Sequence, residues 1–198
     1  MSYGQAMSRI IAGSRKGHRL VTPTGDATRP TSDRVREAAF GVLASELERA
    51  GDPASMLVGL AFLDLFAGSG AVALEAASRG AAPVVAVEHD RRVADVIRRN
   101  ASTTALPVKV VAAGVEKYLA GVGTDFDICW LDPPYKLSNE AVSRILARLA
   151  QSWLTPRSVV VVERSSRGDA FEWPIRLGDR WERRYGETTL HFATKGGG

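Results

Sequence analysis

Residues 132–135 read Asp-Pro-Pro-Tyr and directly follow an apolar segment, 126–131, that is typical of a buried strand. The exocyclic amine of a nucleic-acid base is a poor nucleophile, because its lone pair is delocalised into the ring. We expect the carboxylate of Asp132 and the carbonyl of Pro133 to accept the N–H groups of such an amine and so orient its lone pair. Tyr135 offers a flat face on which the base can stack. The predicted catalytic residues are Asp132, Pro133, Pro134 and Tyr135.

The two prolines of this motif lack N–H donors and fix φ, which keeps the loop rigid. A turn that merely ends a strand is the alternative interpretation of the same four residues. The chemical interpretation is favoured because a second motif with a chemical meaning lies earlier in the chain, with two predicted strands between the two motifs.

That second motif is a glycine turn in residues 64–73, where G-x-G-x-x-A stands between a predicted strand and a predicted helix. Gly68 and Gly70 allow the backbone to turn tightly and to approach a ligand without a Cβ atom in the way. Glu88 ends the next predicted strand, where its carboxylate can accept hydrogen bonds from both hydroxyls of a ribose. The segment predicts a bound adenosine-type cofactor, and a tight packing turn is the alternative.

The type of cofactor is indicated by Asp64, which lies four residues before Gly68. A carboxylate at this place would repel a pyrophosphate but attract the cationic ammonium of a methionyl group. This favours S-adenosylmethionine over a nicotinamide dinucleotide. An aspartate that only caps a helix or a turn is the alternative for Asp64.

Apolar segments alternate with helical patterns through the middle of the chain. Near-continuous apolar strands separated by helices predict a parallel sheet that is covered on both faces. Residues 179–185 and 188–194 alternate in polarity around Gly186, which predicts an antiparallel hairpin that ends the sheet. The predicted strands are 60–65, 84–88, 108–112, 126–131 and 159–163, and the predicted helices are 71–79, 91–100, 116–120 and 138–151.

The N-terminal part carries most of the positive charge. Two short strands, 10–13 and 18–21, are predicted around a turn, followed by a loop. Residues 31–33, Thr-Ser-Asp, offer side-chain oxygens to cap a helix that continues to about residue 50. Residues 1–36 hold seven basic and two acidic residues, a net charge of +5, whereas the rest of the chain has a net charge of −1. Such a basic segment suits a phosphate-rich partner, and a solvated charged surface is the alternative.

Composition excludes several classes of protein. The single cysteine, Cys129, excludes an internal disulfide and an all-cysteine metal site, and it suits a reducing compartment such as the cytoplasm. The three histidines lack metal-ligand spacing, so we expect no metal. The chain has no run of about 18 apolar residues and no secretory apolar region at its start, so we expect no membrane span and no export. We also expect a monomer.

These motifs resemble the class I S-adenosylmethionine-dependent methyltransferases that carry an N/D-P-P-Y/F motif and modify amino nitrogens. Within that class the chain is similar, over nearly its whole length, to the RsmD family of bacterial 16S ribosomal RNA guanine-N2 methyltransferases. The D-P-P-Y motif alone is shared with DNA adenine and cytosine methylases. The alternatives are therefore another DNA or RNA amino-methyltransferase, or a non-catalytic RNA-binding module on the same fold. The similarity is carried by residues 9–13, 29–37, 64–80, 88–90 and 132–135.

The resemblance implies a Rossmann-like, seven-stranded and mostly parallel sheet with a reversed last strand. We predict that this methyltransferase domain comprises residues 51–198 and follows a basic hairpin and helix in residues 1–50. Many relatives have Asp or Asn after the third strand to bind the adenine amine, whereas this chain has Ala112-Ala113-Gly114. We therefore expect backbone atoms at Gly114 to take that role. The predicted cofactor site comprises Asp64, Phe66, Ala67, Gly68, Ser69, Gly70, Glu88, His89 and Gly114.

The resemblance and the charge pattern together predict contacts with 16S ribosomal RNA of the small subunit. Arg34 and Arg36 have an alternative, since they could pair with Asp33 or Glu37 on the surface of a helix. The predicted RNA contacts are Arg9, Arg15, Lys16, Arg19, Arg29, Thr31, Arg34 and Arg36.

Overall fold

The computed structural model describes residues 8–23, 32–49, 51–168 and 170–196. Within these ranges, no helix is long and apolar enough to cross a membrane. The strands are β1 (Ser8–Arg9), β2 (Arg19–Leu20), β3 (Phe62–Leu65), β4 (Val84–Glu88), β5 (Val108–Ala112), β6 (Phe126–Leu131), β7 (Leu154–Ser165), β8 (Leu177–Tyr185) and β9 (Thr188–Lys195). The helices are α1 (Asp33–Glu46), α2 (Ala71–Ser78), α3 (Arg91–Thr104), α4 (Val115–Leu119) and α5 (Asn139–Ser152).

Seven of the strands form one sheet in the order β5-β4-β3-β6-β7-β9-β8. Strands β3 to β7 run parallel, and β9 lies antiparallel between β7 and β8. The predicted fold class, with its reversed last strand, is confirmed. Because β4 and β6 lie on opposite sides of β3, the order of the strands reverses there and a crevice opens at the carboxyl ends of β3 and β6.

The sheet separates two hydrophobic layers. Successive strand residues point to opposite faces, so the even and odd positions of each strand pack against different helices. One layer contains Phe62 and Ile128 with residues of α1, α2 and α3. The other contains Leu63 and Leu131 with residues of α4 and α5. Both faces of the parallel part are thus covered, which explains why its strands are apolar without alternation.

Side chains cap three of the helices at their N-termini. The hydroxyl of Ser32 accepts the N–H of Val35 in α1, and the hydroxyl of Ser138 accepts the N–H of Ala141 in α5, both at 3.3 Å. The carboxylate of Asp90 accepts N–H groups at the start of α3. By contrast, the N-cap residue of α2, Gly70, has no side chain that could cap the helix, so groups outside the helix must accept its first N–H groups.

The N-terminal hairpin differs from its prediction. The paired residues are Ser8 with Leu20 and Arg9 with Arg19, so the first strand lies before the predicted segment 10–13. That segment is not a strand because the N–H groups of its residues 11 and 12 donate to the carboxylate of Glu75, at 2.7 and 2.9 Å. A tertiary hydrogen bond thus replaces the predicted strand pairing.

Other elements differ from their predictions mainly at their ends. Helix α3 continues to Thr104, and β7 has 12 residues where 5 were predicted. Helix α1 ends at Glu46, four residues early, because Glu48 adopts a positive φ of 51°. Helix α1 also contributes Phe40 to the sheet core, where its ring lies 6.1 Å from that of Phe62. The domain boundary at residue 50 stays a prediction.

Candidate active site

The carboxyl ends of four neighbouring strands each bring an acidic residue to the crevice. Glu88 ends β4, Asp64 lies near the end of β3, Asp132 follows β6, and Glu163 lies near the end of β7. Glu88, Asp64 and Glu163 are buried, with 6%, 2% and 9% of their surface exposed. Since neighbouring strands lie about 4.8 Å apart, this carboxylate row spans about 14 Å.

The register of the sheet aligns this carboxylate row. The residues just before Glu88 and Asp132 both pair with Leu65 at the end of β3, and the residue just before Glu163 pairs with the one before Asp132. Glu88, Asp132 and Glu163 therefore lie at one level across the sheet. The residues two positions before the four acidic residues all belong to the layer beneath α1, α2 and α3. Because strand residues two apart share a face, all four carboxylates lie on that face. Those preceding residues are Phe62, Ala86, Trp130 and Val161.

The glycine turn follows β3 and has the backbone geometry that requires glycine. Gly68 and Gly70 have φ of +52° and +77°, and Phe66 before them has φ of +66°. A Cβ atom on Gly70 would lie 2.6 Å from the side chain of Ile97, whereas one on Gly68 would meet nothing within 4 Å. Gly70 is therefore required for packing against α3, and Gly68 leaves open space beside the backbone. The N–H of Ala67 donates to the carbonyl of Val87 in β4 at 2.9 Å, and the N–H of Gly70 donates to the carbonyl of Ala67 within the turn at 2.7 Å.

Asp64 lies beneath this turn. Its Oδ2 accepts the N–H of Ala73 in the first turn of α2 at 3.1 Å, so part of the helix-capping alternative is realised. The pKa of Asp64 is raised to about 8, chiefly by burial and also by the nearby carboxylate of Glu88, while the hydrogen bond from Ala73 opposes the rise. A buried carboxyl with a raised pKa is a group that a bound cation would ionise.

Glu88 connects the turn to the end of β4. Its two carboxylate oxygens accept the N–H of Gly68 at 3.0 Å and the N–H of Asp90 at 2.9 Å. The ring of His89, which is largely exposed, lies with its Nδ1 2.8 Å from Glu88. Each carboxylate oxygen has two lone pairs, so Glu88 can still accept hydrogen bonds from a ligand.

The remaining predicted cofactor residues lie around the same crevice. Ser69 is half-buried in the glycine turn, and Gly114 is exposed at the N-terminus of α4. A Cβ atom on Gly114 would meet nothing within 4 Å. The N–H of Ala113 donates to the backbone carbonyl of Glu88 at 2.9 Å, so this segment is tied to the strand that carries the predicted ribose ligand.

The D-P-P-Y loop lies at the end of β6, beside the glycine turn. Pro133 is buried, Pro134 is exposed, and Tyr135 is 70% exposed. The N–H of Leu137 donates to the carbonyl of Pro134 at 2.8 Å and closes a tight turn. The exposed ring of Tyr135 is free to accept a stacked ligand on its face.

Asp132 is the half-buried acidic residue of this loop. Its pKa is raised well above the usual range, first by burial and then by the carboxylates of Glu163 and Asp64, while Arg164 lowers it. Such a carboxyl is a strong proton acceptor once it is ionised. Perturbed carboxyls concentrated in a crevice are typical of functional sites.

Sequence reasoning missed two residues of β7 that lie beside the D-P-P-Y loop, Glu163 and Arg164. Arg164 donates from Nη2 to the carbonyl of Leu137 at 3.1 Å and to Oδ1 of Asn139 at 3.0 Å. Glu163 completes the carboxylate row. Both lie near the end of β7 as an unremarkable charged pair in the sequence, and only the register of β7 beside β6 places them at the loop.

A third missed residue, Asn100, joins the N-terminal segment to the glycine turn. Its side-chain oxygen accepts the N–H of Val21, and its Nδ2 donates to the carbonyl of Val21, both at 2.9 Å. The same Nδ2 donates to the carbonyl of Ser69 at 3.2 Å. The basic segment and the predicted cofactor turn thus share one buried side chain.

The predicted RNA contacts are mostly at the surface. Arg29 and Thr31 lie outside the described residues. The exposed ones are Arg9, Arg15, Lys16, Arg19 and Arg34. Arg9 lies 3.2 Å from the carboxylate of Asp33, and Arg15 donates to the carbonyl of Thr104 at the end of α3.

The predicted RNA contact of Arg36 is wrong, because its side chain is fully buried and cannot reach RNA. It donates to the hydroxyl of Ser8, to the carbonyl of Arg9 and to the carboxylate of Asp33, and its Nε lies 3.9 Å from Glu75. Pairing with Asp33, the alternative from the sequence, is what the structure contains. Arg36 therefore anchors the N-terminal segment.

Glu75 on α2 is the buried acceptor for this anchor. It is fully buried and accepts the N–H groups of Ile11 and Ala12 as well as the Nε of Arg79, at 2.7 Å. A buried carboxylate needs such partners because its desolvation is costly. In the sequence Glu75 is a single charge in a helix of small apolar residues, and that break in the pattern is the signal that could have revealed it.

The strand order with its reversed last strand, the glycine turn after β3 and the D-P-P-Y loop after β6 define a Rossmann-like methyltransferase fold. The chain belongs to the RsmD family: the family model described as "Conserved hypothetical protein 95" matches residues 8–194.

Named relatives agree with this membership. The chain is 36% identical over 163 residues to Ribosomal RNA small subunit methyltransferase D of Escherichia coli K12, which covers 81% of this chain and 76% of the relative. It is 32% identical over 162 residues to the protein of the same name from Haemophilus influenzae, covering 78% of this chain and 77% of the relative.

Solved structures have the same fold. The protein yhhF from Escherichia coli has a TM-score of 0.82 and 29% identity, covering 98% of this chain and all of that chain. A hypothetical protein from Thermus thermophilus has a TM-score of 0.72 and 33% identity, covering 93% and 97%. An RNA methyltransferase from Salinibacter ruber, solved with S-adenosyl-L-homocysteine, has a TM-score of 0.60 and covers 85% and 94%. At 16% identity, this last likeness concerns the fold alone.

Proposed function

We propose that the chain is an S-adenosylmethionine-dependent methyltransferase that acts on the N2 amine of a guanine in 16S ribosomal RNA. The observation that carries the proposal is the adjacency of two sites on paired strands, with Asp64 and the glycine turn on β3 and the D-P-P-Y loop on β6. A cofactor at the first site would present its methyl group to an amine at the second. The names of the family relatives support the RNA substrate, and a cytoplasmic location follows from that substrate.

The residues around the glycine turn fit S-adenosylmethionine. Open space beside Gly68 gives a ligand access to the backbone. The carboxyl of Asp64 would pair with the methionyl ammonium, and the remaining lone pairs of Glu88 would accept the ribose hydroxyls. His89 and Gly114 would line the adenine side of the site. When bound, the cofactor supplies an electrophilic methyl group on a positively charged sulfur.

The D-P-P-Y loop supplies the geometry for the amine. The Asp132 carboxylate and the Pro133 carbonyl accept the two N–H groups of N2, which turns the nitrogen lone pair toward the methyl group. The N–C bond forms as the S–C bond breaks, which leaves S-adenosylhomocysteine. Asp132 then accepts the proton that the methylated nitrogen releases, a role that its raised pKa favours. Tyr135 stacks on the base, and the two prolines keep the loop rigid.

The exposed basic side chains of the hairpin and of α1 would contact phosphates beside the target base. Arg15, Lys16 and Arg19 are exposed on or beside the hairpin, and Arg34 is exposed on the first turn of α1. This segment lies against α2 and α3, the helices that follow the cofactor turn and the ribose strand. An RNA bound to these basic side chains would lie close to the crevice.

The test is methyl transfer to small-subunit particles from a strain that lacks this gene. The protein is incubated with labelled S-adenosylmethionine and the particles, the RNA is digested, and the labelled nucleoside is identified. We expect N2-methylguanosine. Labelled adenine or cytosine would keep the amine site but contradict the guanine substrate. No label from a protein that binds S-adenosylmethionine in calorimetry would contradict the RNA substrate and direct the search to DNA or protein.

A further inference from the structure

Glu163 is a buried carboxylate of the crevice to which the proposed reaction gives no role. Its strand, β7, is the parallel neighbour of β6 on the side away from the cofactor turn. The residues before Asp132 and Glu163, Leu131 and Val162, are paired in register. Asp132 and Glu163 therefore follow side by side, about 4.8 Å apart along the sheet.

The carboxyls of Asp132 and Glu163 lie on the same face of the sheet as well as at the same level along the strands. Trp130 and Val161, two residues before them, both pack in the layer beneath α1, α2 and α3, so both side chains leave the sheet on that face. Glu163 is 9% exposed, and its carboxylate is among the charges that raise the pKa of Asp132. A buried carboxyl beside a half-buried one favours a ligand that presents hydrogen-bond donors to both.

Guanine has such an edge, and the other amine-bearing bases do not. In guanine the N2 amine is next to the protonated ring nitrogen N1–H, so two neighbouring donors face outward. In adenine and cytosine the amine is flanked by an unprotonated ring nitrogen, which is an acceptor. A base extruded from RNA is recognised through this Watson–Crick edge. A carboxylate next to the amine-binding residue would thus accept N1–H of guanine and repel the lone pair of the other bases.

We propose that Glu163 accepts the N1–H of the target guanine and makes the site selective for guanine over other bases with an exocyclic amine. This inference rests on the proposed methylation of a guanine N2 amine. The carboxylate row then has an order that follows the reaction: Glu88 for the ribose, Asp64 for the methionyl ammonium, Asp132 for the reacting amine and Glu163 for the ring beyond it.

The test replaces the donor at N1 without removing the amine. In 2,6-diaminopurine the N2 amine is retained but N1 is an unprotonated acceptor. Small-subunit particles are reconstituted with guanine or 2,6-diaminopurine at the modified position, and kcat/KM is measured for the wild-type protein and for Glu163→Gln. A third particle with 2-aminopurine, which has no group at C6, controls for the loss of the guanine O6.

We expect the wild-type protein to prefer guanine by about 100-fold over both analogues, because a site built to accept an N–H rejects a base without one. The amide of Glu163→Gln can donate to an unprotonated N1, so we expect its preference to fall at least about tenfold. Affinity for S-adenosylmethionine should be unchanged. The matched control is Glu172→Gln, which makes the same change at an exposed glutamate. This variant should keep the wild-type preference for guanine.

An unchanged guanine preference in Glu163→Gln would overturn the inference and leave the proposed function intact. If the wild-type protein does not methylate the guanine particles at all, the proposed function fails first and the inference fails with it. Should Glu163→Gln not fold, Glu163→Asp tests the same point: it keeps a carboxylate, so we expect a lower rate but an intact guanine preference. A lost preference in Glu163→Asp would also contradict the role of the charge.

Discussion

At the scale of single residues, the crevice depends on carboxyls held away from water. Asp64 and Asp132 both have raised pKa values, and burial is the main cause for each. Such groups are costly in the empty protein and become favourable when a cation or a set of N–H donors reaches them. On the proposed function, ligand binding would ionise these acidic residues, and this can be measured at each residue.

Asp132→Asn should lower the turnover number by about 10²–10³-fold, because the amide accepts protons poorly and turns donors toward the amine. Affinity for S-adenosylmethionine should change little, since Asp132 lies beyond the glycine turn. Turnover is measured with labelled cofactor and affinity by calorimetry. Asp125→Asn, at an exposed aspartate before β6, is the control, and a fully active Asp132→Asn protein would exclude the amine-holding role.

The affinity for S-adenosylmethionine should rise with pH up to about 8, where the raised pKa of Asp64 lies. Below that pH the carboxyl is protonated in the empty chain and cannot pair with the ammonium, so the affinity falls by up to about tenfold per pH unit. Calorimetry between pH 6 and pH 9 measures this slope. The analogue 5′-methylthioadenosine lacks the ammonium and should bind with a flat profile. Equal slopes for both ligands would rule out the pairing with Asp64.

The same pKa affects the stability of the empty protein. Because the folded chain binds this proton more tightly than the unfolded chain, the contribution of Asp64 is complete below a pH of about 4 and is lost as pH rises through about 8. Asp64→Asn cannot ionise, so its stability should not fall as pH rises through about 8. In a denaturant titration at pH 9 this variant should therefore unfold at a higher denaturant concentration than wild type, although it should bind the cofactor more weakly.

At the scale of elements, the site consists of β3, the glycine turn and α2. The two glycines of the turn have different structural roles. Gly70 starts α2 against Ile97 of α3, and Gly68 faces open space. Asn100 of α3 then holds both the turn, through Ser69, and the N-terminal segment, through Val21. The glycine turn and the N-terminal segment are therefore both held by α3, which lies far from each of them in the sequence.

Gly70→Ala and Gly68→Ala should separate packing from binding. In Gly70→Ala the new Cβ lies 2.6 Å from Ile97, so we expect a loss of about 1–3 kcal/mol in the free energy of unfolding. Gly68→Ala meets no atom and should cost only the strain of its positive φ, about 1 kcal/mol, but it should weaken cofactor binding more than tenfold. Denaturant titration and calorimetry give the two quantities, and equal effects of both variants on both would contradict this division.

At the scale of the whole molecule, the basic N-terminal segment is built onto the methyltransferase core. Glu75 on α2 accepts the backbone of residues 11 and 12, and Gly13 passes so close to α2 that a Cβ atom would lie 1.9 Å from the carbonyl of Ser78. Arg36 of α1 is buried beside Glu75. The positive charge of the segment is thus divided between buried anchors and exposed side chains.

Arg36→Met should therefore lower the stability of the protein, whereas Arg34→Glu should weaken its binding to RNA. Removing the buried guanidinium leaves Glu75 with fewer partners, and we expect a loss of about 3–5 kcal/mol in unfolding free energy. Reversing the exposed charge of Arg34 should leave stability unchanged, weaken RNA binding and reduce its salt slope by about 1. Thermal unfolding and RNA binding at several salt concentrations distinguish them. A stable Arg36→Met protein, or normal RNA binding by Arg34→Glu, would contradict the division.

Much of this fold was predictable from local pattern. Strands β4, β5 and β6 have the predicted bounds, because continuous apolar segments bounded by polar residues are a strong signal for buried strands. The glycine turn and the D-P-P-Y loop were found as well, since each requires residue types that the chain rarely places together. The first strand and the ends of α1 and α3 were wrong because hydrogen bonds from distant residues and positive φ values decide them.

The sequence by itself determined the parallel sheet, its reversed last strand and the two motifs, because strand and turn formation depend mainly on neighbouring residues. Only the tertiary structure decided that Arg36 is an anchor and that Asn100 joins the N-terminal segment to the cofactor turn. It also decided that Glu163 lies level with Asp132. The physical reason is that burial and charge pairing depend on residues brought together by strand order and register, and these are set by the packing of the whole chain.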